Sequence, residues 1–223
     1  MRDYQRWKQA QTKEKESWVH DEIASRELTE KTLSKGFDTE LKDFTGQSIL
    51  AVGSGTGRIH NLSFDCFAVG IDPLSHSYFN SSSGSNAHVF TGIGEHLPFQ
   101  DETFDSVWTF NVIDHMIEPE KALREICRVL KPEGELYLMV HCFSLPDSIN
   151  KILDYFDRLH PHHFSIGELS DMIDQSGFNI QSSRTAETEI KFFDRPPRNS
   201  LKLAAAKYVF RIRETYVKAV KYQ

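Results

Sequence analysis

The stretch Ile49-Leu50-Ala51-Val52-Gly53-Ser54-Gly55-Thr56-Gly57 decides the fold of this chain. Four apolar residues, typical of a strand buried on both faces of a parallel sheet, lead into three alternating glycines. Gly53 can adopt backbone angles closed to other residues, and the later glycines leave room for a ligand against the main chain. A helix that follows offers free N–H groups and the positive end of its dipole. The stretch therefore predicts a pocket for a small, partly anionic ligand.

Apolar segments alternate with helical ones along the chain, which favours βαβ units in a doubly wound, parallel α/β sheet. Strands are predicted at Ser48–Val52, Phe67–Ile71, His88–Thr91, Phe104–Phe110, Glu135–His141, Phe178–Ser183 and Glu189–Phe193, the last two pairing antiparallel. Helices are predicted at about residues 118–130, at Ser148–Leu159 and at Ile166–Gln175, whereas Ser77–Ser85 favours a loop or a short helix.

Both ends of the chain have their own character. Residues 1–44 are polar with scattered apolar anchors, which predicts two amphipathic helices as an N-terminal cap. We expect Trp7 and Trp18 of this cap to cover the pocket. A core domain is predicted at residues 45–194, followed by a C-terminal basic helix within residues 195–223.

The net charge of −6 is unevenly distributed. Residues 46–193 carry 9 Lys and Arg against 20 Asp and Glu, whereas residues 195–223 carry 8 against 1. The acidic core argues against nucleic-acid binding, which needs a basic face. Two interpretations of the basic segment 200–223 remain open. Packing on the acidic core or on a second subunit, as in a homodimer, is favoured over contact with an anionic membrane.

Composition points to a cytoplasmic protein. No apolar run approaches the roughly 18 residues that a membrane span needs. The first 17 residues lack the apolar region of a secretory signal. The three cysteines, Cys66, Cys127 and Cys142, have no metal-type spacing, so we expect reduced, buried thiols.

The glycine spacing discriminates between two nucleotide cofactors. A dinucleotide fingerprint, G-x-G-x-x-G, requires its third glycine where Arg58 stands here. The observed G-x-G-x-G therefore favours the smaller amino-acid end of S-adenosylmethionine. Asp72 ends the second strand, where a carboxylate can accept both ribose hydroxyls. The alternative is a surface turn acid before Pro73.

The run Gly92–Val140 carries further motifs in a fixed order. These are Glu95-His96-Leu97-Pro98-Phe99, Phe104-Asp105, His115, Arg128-Val129-Leu130 and Lys131-Pro132-Glu133-Gly134. Together with the glycine loop, they resemble the class I S-adenosylmethionine-dependent methyltransferases, specifically the type 11 group. The resemblance covers about residues 45–180.

This resemblance implies a Rossmann-like sheet of seven strands in the order 3-2-1-4-5-7-6, with strand 7 antiparallel. It also implies S-adenosyl-L-methionine as cofactor and S-adenosyl-L-homocysteine as product. No metal is expected, for reasons given below at Asp114-His115 and at the histidine cluster. The glycine loop would face the methionine part, Asp72 the ribose and the turn at Gly94 the adenine. The implied cofactor-binding residues are Gly53, Ser54, Gly55, Gly57, Asp72, Pro73, Gly94, Glu95, His96, Asn111 and Val112.

Three positions depart from the family pattern. Ala51 stands where the family usually has a carboxylate that organises the amino-acid end of the cofactor, and Ile93 stands where an acidic residue usually precedes the adenine turn. Glu133 replaces the first glycine of the usual Gly-Gly. These departures keep a second interpretation open, in which the chain is a catalytically degenerate methyltransferase fold that serves as a binding or regulatory protein.

Asp114 and His115 follow the fourth strand, at the sheet edge where ligands bind. His115 could be a general base for an acceptor hydroxyl, with Asp114 orienting it, or could only line the cofactor pocket. Metal-dependent catechol-type enzymes add Asp-Asn after the fifth strand. Here that place holds His141-Cys142, so no magnesium site is predicted.

A second histidine cluster is His160-Pro161-His162-His163-Phe164. Three histidines within four residues do not easily reach one tetrahedral ion. A substrate-side role for His141, His162 and His163 is expected instead, against the alternative of a structural helix start capped by Ser165. The acceptor is expected to be a small molecule or a glycan-related compound, methylated at oxygen.

Overall fold

The computed structural model describes residues 2–18, 26–55, 59, 62, 65–78, 88–144, 160–187 and 212–222. Within these ranges seven strands form one sheet in the order β3-β2-β1-β4-β5-β7-β6. The strands are β1 (Ser48–Val52), β2 (Phe67–Asp72), β3 (His88–Thr91), β4 (Phe104–Phe110), β5 (Leu130–Phe143), β6 (Phe178–Glu187) and β7 (Ile212–Lys221). β7 is antiparallel to both of its neighbours, so the predicted sheet order is confirmed.

Five helices are described: α1 (Arg2–Trp18), α2 (Arg26–Phe37), α3 (Ser75–Tyr78), α4 (Pro119–Val129) and α5 (Ile166–Gln175). The two N-terminal helices, α4 and α5 agree with the sequence prediction. α5 begins with the Ser165 cap that the sequence left open as an alternative, because Ser165 Oγ accepts the N–H of Glu168 while the Glu168 carboxylate accepts the N–H of Ser165. Gly177 follows the helix with a positive φ of 98°, as a terminating glycine should.

β1 lies in the interior of the sheet, parallel to β2 and β4, with Leu50 opposite Val69 and Val107. Leu50 and Val52 pack into a core cluster shared with α4 and α5, and Ile49 packs into the cluster on the opposite face. Because helices cover both faces, the strand is apolar throughout. Because β1 lies between β2 and β4 and is parallel to both, the glycine loop that follows it leaves the sheet at the carboxyl edge, between the ends of these two strands.

The second face of the sheet is closed by α2 and a short 3₁₀ turn, Leu41–Phe44. Phe44 contacts Trp108 and Tyr137 edge-on, with ring centroids 4.8 and 5.2 Å apart. Phe37 of α2 lies against the same aromatic group. The cap helix α2 is thus an integral part of the core.

The predicted C-terminal basic helix is wrong for residues 212–221, which form β7. Thr215, Tyr216 and Val217 are buried between β5 and β6, so this segment belongs to the core domain predicted at residues 45–194 and not to a separate element. Two lysines of β7 contact other residues of the same domain. Lys218 Nζ lies 2.7 Å from the Glu135 carboxylate, and Lys221 Nζ donates to the backbone carbonyl of Leu130 at 2.7 Å.

This correction also changes the partner of β6. Glu189–Phe193, predicted to pair with it, lies outside the described residues, as do most of Ser77–Ser85, the predicted helix Ser148–Leu159 and residues 200–211. β6 instead pairs antiparallel with β7. Among the cysteines, Cys142 is buried, whereas Cys66 and Cys127 are half-buried. No helix in the described ranges is long and apolar enough to cross a membrane.

Candidate active site

The glycine loop begins with a residue that tolerates no side chain. Gly53 has a φ of 68°, and its N–H donates to the carbonyl of Ile71 at 2.8 Å. A Cβ added at Gly53 would lie 2.4 Å from both γ carbons of Val112. Two requirements, positive φ and close approach of the segment after β4, therefore explain this glycine.

Asp72 at the end of β2 supports the loop. Its Oδ2 accepts the N–H of Gly55 at 2.9 Å, and its Oδ1 accepts the N–H of Leu74 at 2.8 Å. The carboxylate is largely buried. Gly57 and Arg58, which carried part of the argument on glycine spacing, lie outside the described residues.

A cavity opens at this edge of the sheet. It gathers six of the predicted site residues: Gly53, Pro73, Gly94, Glu95, Val112 and His115. Trp7 and Gln11 of α1 also line it, as do Val52, Ile71, Gly92, Ile93 and Met116. The predicted covering role of Trp7 is thereby supported, whereas the side chain of Trp18 lies outside the described part of the chain. No sequence signal marked Gln11 or Met116.

Two buried polar atoms belong to Ser54 and Asn111, the residues next in sequence to Gly53 and Val112 of the cavity. Asn111 adopts a positive φ of 59°, and its N–H donates to the carbonyl of Met139 at 2.6 Å. Asn111 Oδ1 and Ser54 Oγ have no hydrogen-bond partner within the described part of the chain. Buried polar atoms are normally paired, so these two are exceptions. Neither residue is among those that line the cavity, and Ser54 Oγ lies 2.7 Å from the place that a Cβ at Gly70 would take.

His115 and Asp114 belong to a 3₁₀ turn, Ile113–His115, that follows β4. The Asp114 side chain is 5% exposed, and its Oδ2 lies 3.9 Å from His115 Nε2. The structure adds His160, whose ring centroid lies 4.8 Å from that of His115. His141, near the end of β5, shares this environment, and burial lowers the pKa of its imidazole despite the nearby Asp114 carboxylate.

The other two histidines of the second cluster face a different cavity. His162 and His163 line it together with Glu168 and Met172 of α5. His162 Nε2 bonds the carbonyl of Met116 at 3.0 Å, so the segment is held across the turn that carries His115. The predicted substrate residues are therefore not gathered in the cavity that Gly53 lines.

Comparison with known proteins decides the family. The family described as a methyltransferase domain matches residues 50–138, which contain the glycine loop, Asp72 and the Asp114–His115 turn. Residues 50–138 are thus a class I S-adenosylmethionine-dependent methyltransferase domain of the type 11 group.

Two relatives are similar to this chain over part of their length. The uncharacterized methyltransferase YcgJ of Bacillus subtilis is 27% identical over 64% of this chain and 62% of its own length. Its crystal structure matches 80% of this chain with a TM-score of 0.60. The uncharacterized protein MJ0638 of Methanocaldococcus jannaschii is 35% identical over 54% of this chain and 49% of its own length.

A solved neighbour with a bound ligand shares the fold. Phosphoethanolamine N-methyltransferase 2 of Haemonchus contortus, in complex with phosphomonomethylethanolamine and S-adenosylhomocysteine, has a TM-score of 0.62. It is 17% identical, and the match covers 87% of this chain and 52% of that one. At this identity the likeness concerns the fold alone. The chain spans about three fifths, or less, of the curated relatives named above.

The methyltransferase turn at residues 95–99 is held by helix α4 in a way that the sequence analysis did not foresee. Arg128 donates to the carbonyls of Leu97 and Phe99, and Glu125 accepts the N–H of Leu97 at 3.0 Å. Arg128 and Glu125 also pair with each other through two hydrogen bonds of 2.8 Å. This pairing holds the pKa of the Glu125 carboxyl below its usual range. The arginine of the Arg128-Val129-Leu130 motif therefore fixes the backbone of the turn at residues 95–99.

Glu95 and His96 make contacts within the protein that the sequence did not indicate. The Glu95 carboxylate accepts the N–H groups of Ile117 and Glu118, at 2.7 and 3.3 Å, and so supports the start of α4. His96 Nε2 lies 2.8 Å from Lys121 Nζ at an exposed position. Glu95 lines the cavity, but its carboxylate is already committed to the helix.

Proposed function

We propose that this chain transfers the methyl group of S-adenosylmethionine to a hydroxyl oxygen of a small-molecule or glycan-related acceptor. The observation that carries the proposal is the cavity in which His115 and Gly53 face the same space. It lies at the carboxyl edge of the sheet, where doubly wound folds bind their ligands.

The described residues suit the cofactor at several points. The Gly53–Gly55 segment would hold its amino-acid end, Asp72 its ribose, and the Gly94 turn its adenine, with Pro73, Asn111 and Val112 beside them. When bound, the cofactor supplies a methyl group already activated on a sulfonium. The protein's main task is then to position the acceptor oxygen in line with that methyl group and to exclude water.

An aliphatic hydroxyl keeps its proton at neutral pH and needs a base as it attacks. We assign this role to His115, which lines the cavity. The buried Asp114 carboxylate lies 3.9 Å from His115 Nε2, which is too far for a hydrogen bond in this arrangement. Among the predicted substrate residues, His141 is proposed to contact the acceptor, whereas His162 and His163 line a separate cavity beside α5.

A second candidate function is favoured by two specific positions. Ala51 is buried in β1, where it offers no carboxylate to the amino-acid end of the cofactor. Ile93 lines the cavity as an apolar side chain. A protein that binds the cofactor or its product weakly, without turnover, is the alternative that these residues support.

Calorimetry and a transfer assay test both candidates. The proposed function predicts that S-adenosylmethionine or S-adenosylhomocysteine binds, and that label from methyl-labelled cofactor appears in hydroxylated acceptors such as sugars and phenols. His115→Asn should then lower kcat while leaving cofactor affinity unchanged. Absence of binding of both compounds at millimolar concentration would refute the enzyme. Binding without transfer to any acceptor class would favour the second candidate.

A further inference from the structure

Three potential metal ligands converge beside the proposed cofactor cavity. Asp114 and His115 come from the turn after β4, and His160 comes from the segment that precedes α5. One ligand atom from each lies within 4.8 Å of the other two. The sequence separates the histidines by 45 residues, so only the tertiary structure brings this set together.

Asp114 supplies a second, independent observation. Its side chain is only 5% exposed, and its Oδ1 has no hydrogen-bond partner among the described residues. A buried carboxylate oxygen without a donor is costly, because its hydration is lost and nothing replaces it. A bound cation is the kind of partner that would satisfy such an oxygen.

The segment that carries His160 is fastened to the turn that carries the other two ligands. The N–H of His162 donates to the carbonyl of Asp114 at 3.2 Å, and His162 Nε2 bonds the carbonyl of Met116 at 3.0 Å. The N–H of Phe143 donates to the carbonyl of Phe164 at 2.9 Å. These contacts hold the ligand-bearing backbone in place before any ion arrives, as metal sites require.

We propose that Asp114, His115 and His160 bind one divalent first-row transition-metal ion. Two imidazoles and one carboxylate suit zinc and its neighbours, whereas magnesium and calcium prefer sites built from oxygen alone. Metal–ligand bonds of about 2.0–2.2 Å hold ligand atoms closer together than the present set, so the side chains would rotate slightly inward. Three protein ligands leave a coordination position open.

The proposed site changes the interpretation of the histidine cluster. Three neighbouring histidines do not share an ion here, because His162 and His163 face the cavity beside α5. Of this cluster only His160 belongs to the proposed metal site, together with Asp114 and His115 from the turn after β4. The absence of Asp-Asn after β5 argues against a catechol-type magnesium site and leaves this different ligand set unaffected.

The ion would have a consequence that rests on the proposed function. An acceptor hydroxyl at the open position would lose its proton to water, since a bound divalent ion lowers the pKa of coordinated oxygen. Its oxygen would then form the C–O bond while the C–S bond breaks and its electron pair returns to sulfur, leaving a neutral thioether. In this state His115 is a ligand rather than the base.

The test uses the full chain without a polyhistidine tag, treated with a chelator and titrated with Co²⁺ and then Zn²⁺. We expect one Co²⁺ per chain, with visible absorption bands of low coordination number that Zn²⁺ abolishes. Asp114→Asn and His160→Gln should each weaken Zn²⁺ binding at least about tenfold. The control, His88→Gln, alters an exposed histidine on β3 and should bind Zn²⁺ as the parent does. Circular dichroism checks that each variant is folded.

Two results would overturn the site: no ion bound by the parent chain, or unchanged Zn²⁺ affinity in both ligand variants. Calorimetry with S-adenosylhomocysteine on the chelator-treated protein separates this failure from failure of the proposed function. Cofactor binding without metal binding rejects the site alone. Metal binding without cofactor binding rejects the methyl transfer and leaves the site standing.

Discussion

The carboxylate of Asp72 accepts the N–H of Gly55 at 2.9 Å, so the end of β2 holds the glycine loop that follows β1. Its other oxygen accepts the N–H of Leu74. β1 and β2 are adjacent and parallel, which brings their carboxyl ends together at one edge. Asp72 is therefore a support of the loop as well as the candidate ribose ligand.

Asp72→Asn should weaken S-adenosylmethionine binding by about tenfold or more. The Asn side chain would turn its NH₂ group toward the backbone N–H of either Gly55 or Leu74, so one of these two hydrogen bonds is lost. The other is weakened, because the side chain no longer carries a negative charge. Hydrogen bonds to charged groups are worth about 1.5–3 kcal/mol, and 1.4 kcal/mol is tenfold in affinity. Calorimetry measures the change, with the exposed Asp65→Asn as control. Unchanged affinity would contradict both roles of Asp72.

Gly53→Ala should lower the free energy of unfolding by about 2–4 kcal/mol, since it combines overpacking with a left-handed backbone. The added Cβ would meet the γ carbons of Val112 at 2.4 Å. The double variant with Val112→Ala should recover the packing part and retain the backbone part. Urea unfolding of both singles and the double gives the coupling. Strict additivity would show that the contact with Val112 does not matter.

Trp7→Ala should weaken cofactor binding without loss of the fold, because Trp7 lines the cavity from α1 and is only half-buried. Losing most of an aromatic contact is worth about 1–2 kcal/mol, a five- to thirtyfold loss of affinity. Calorimetry with S-adenosylhomocysteine measures it, and Gln9→Ala on the exposed side of α1 is the matched control. Equal effects in the two variants would contradict a covering role.

Arg128→Lys should destabilise the protein in a pH-dependent way. Arg128 holds the pKa of Glu125 below its usual value, so this carboxylate stabilises the fold above its unfolded pKa, about 4.3, and the contribution is lost as the pH falls through the lower folded pKa. The cost of the variant should be about 1–2 kcal/mol at pH 7 and should shrink below about pH 4.

Urea unfolding of parent and variant between neutral and acid pH measures this difference. Arg124→Lys alters an exposed arginine on the same helix and should show little change at any pH. A cost for Arg128→Lys that stays constant with pH would mean that packing, and not the charged pair, holds the turn at Leu97.

Glu133→Gly should stabilise the protein, because Glu133 has a φ of 62° where glycine meets no Cβ penalty. Relief of about 1 kcal/mol would raise the Tm by about 2–4 °C in a domain of this size. Glu133→Ala is the control, since it removes the same side chain and keeps the unfavourable backbone. A scanning calorimeter that ranks alanine at or above glycine would contradict the strain.

Several elements could be predicted from short stretches of sequence. The apolar run into the glycine loop, the capped helix beginning at Ile166 and the terminating Gly177 all agree with the structure, because periodicity and capping act over a few residues. The resemblance to the type 11 methyltransferases also predicted the order of the strands in the sheet. Glu95 shows the limit, since its neighbours in sequence did not reveal that it supports the start of α4.

The sequence by itself determined the cofactor class expected at the Gly53 loop, the core strands and the helices α4 and α5. Only the tertiary structure decided that residues 212–221 form β7, because strand preference depends on the neighbours that bury the side chains, here β5 and β6. The tertiary structure alone also brought His160 to Asp114 and His115. Such contacts join residues far apart in the chain, and no local period encodes them.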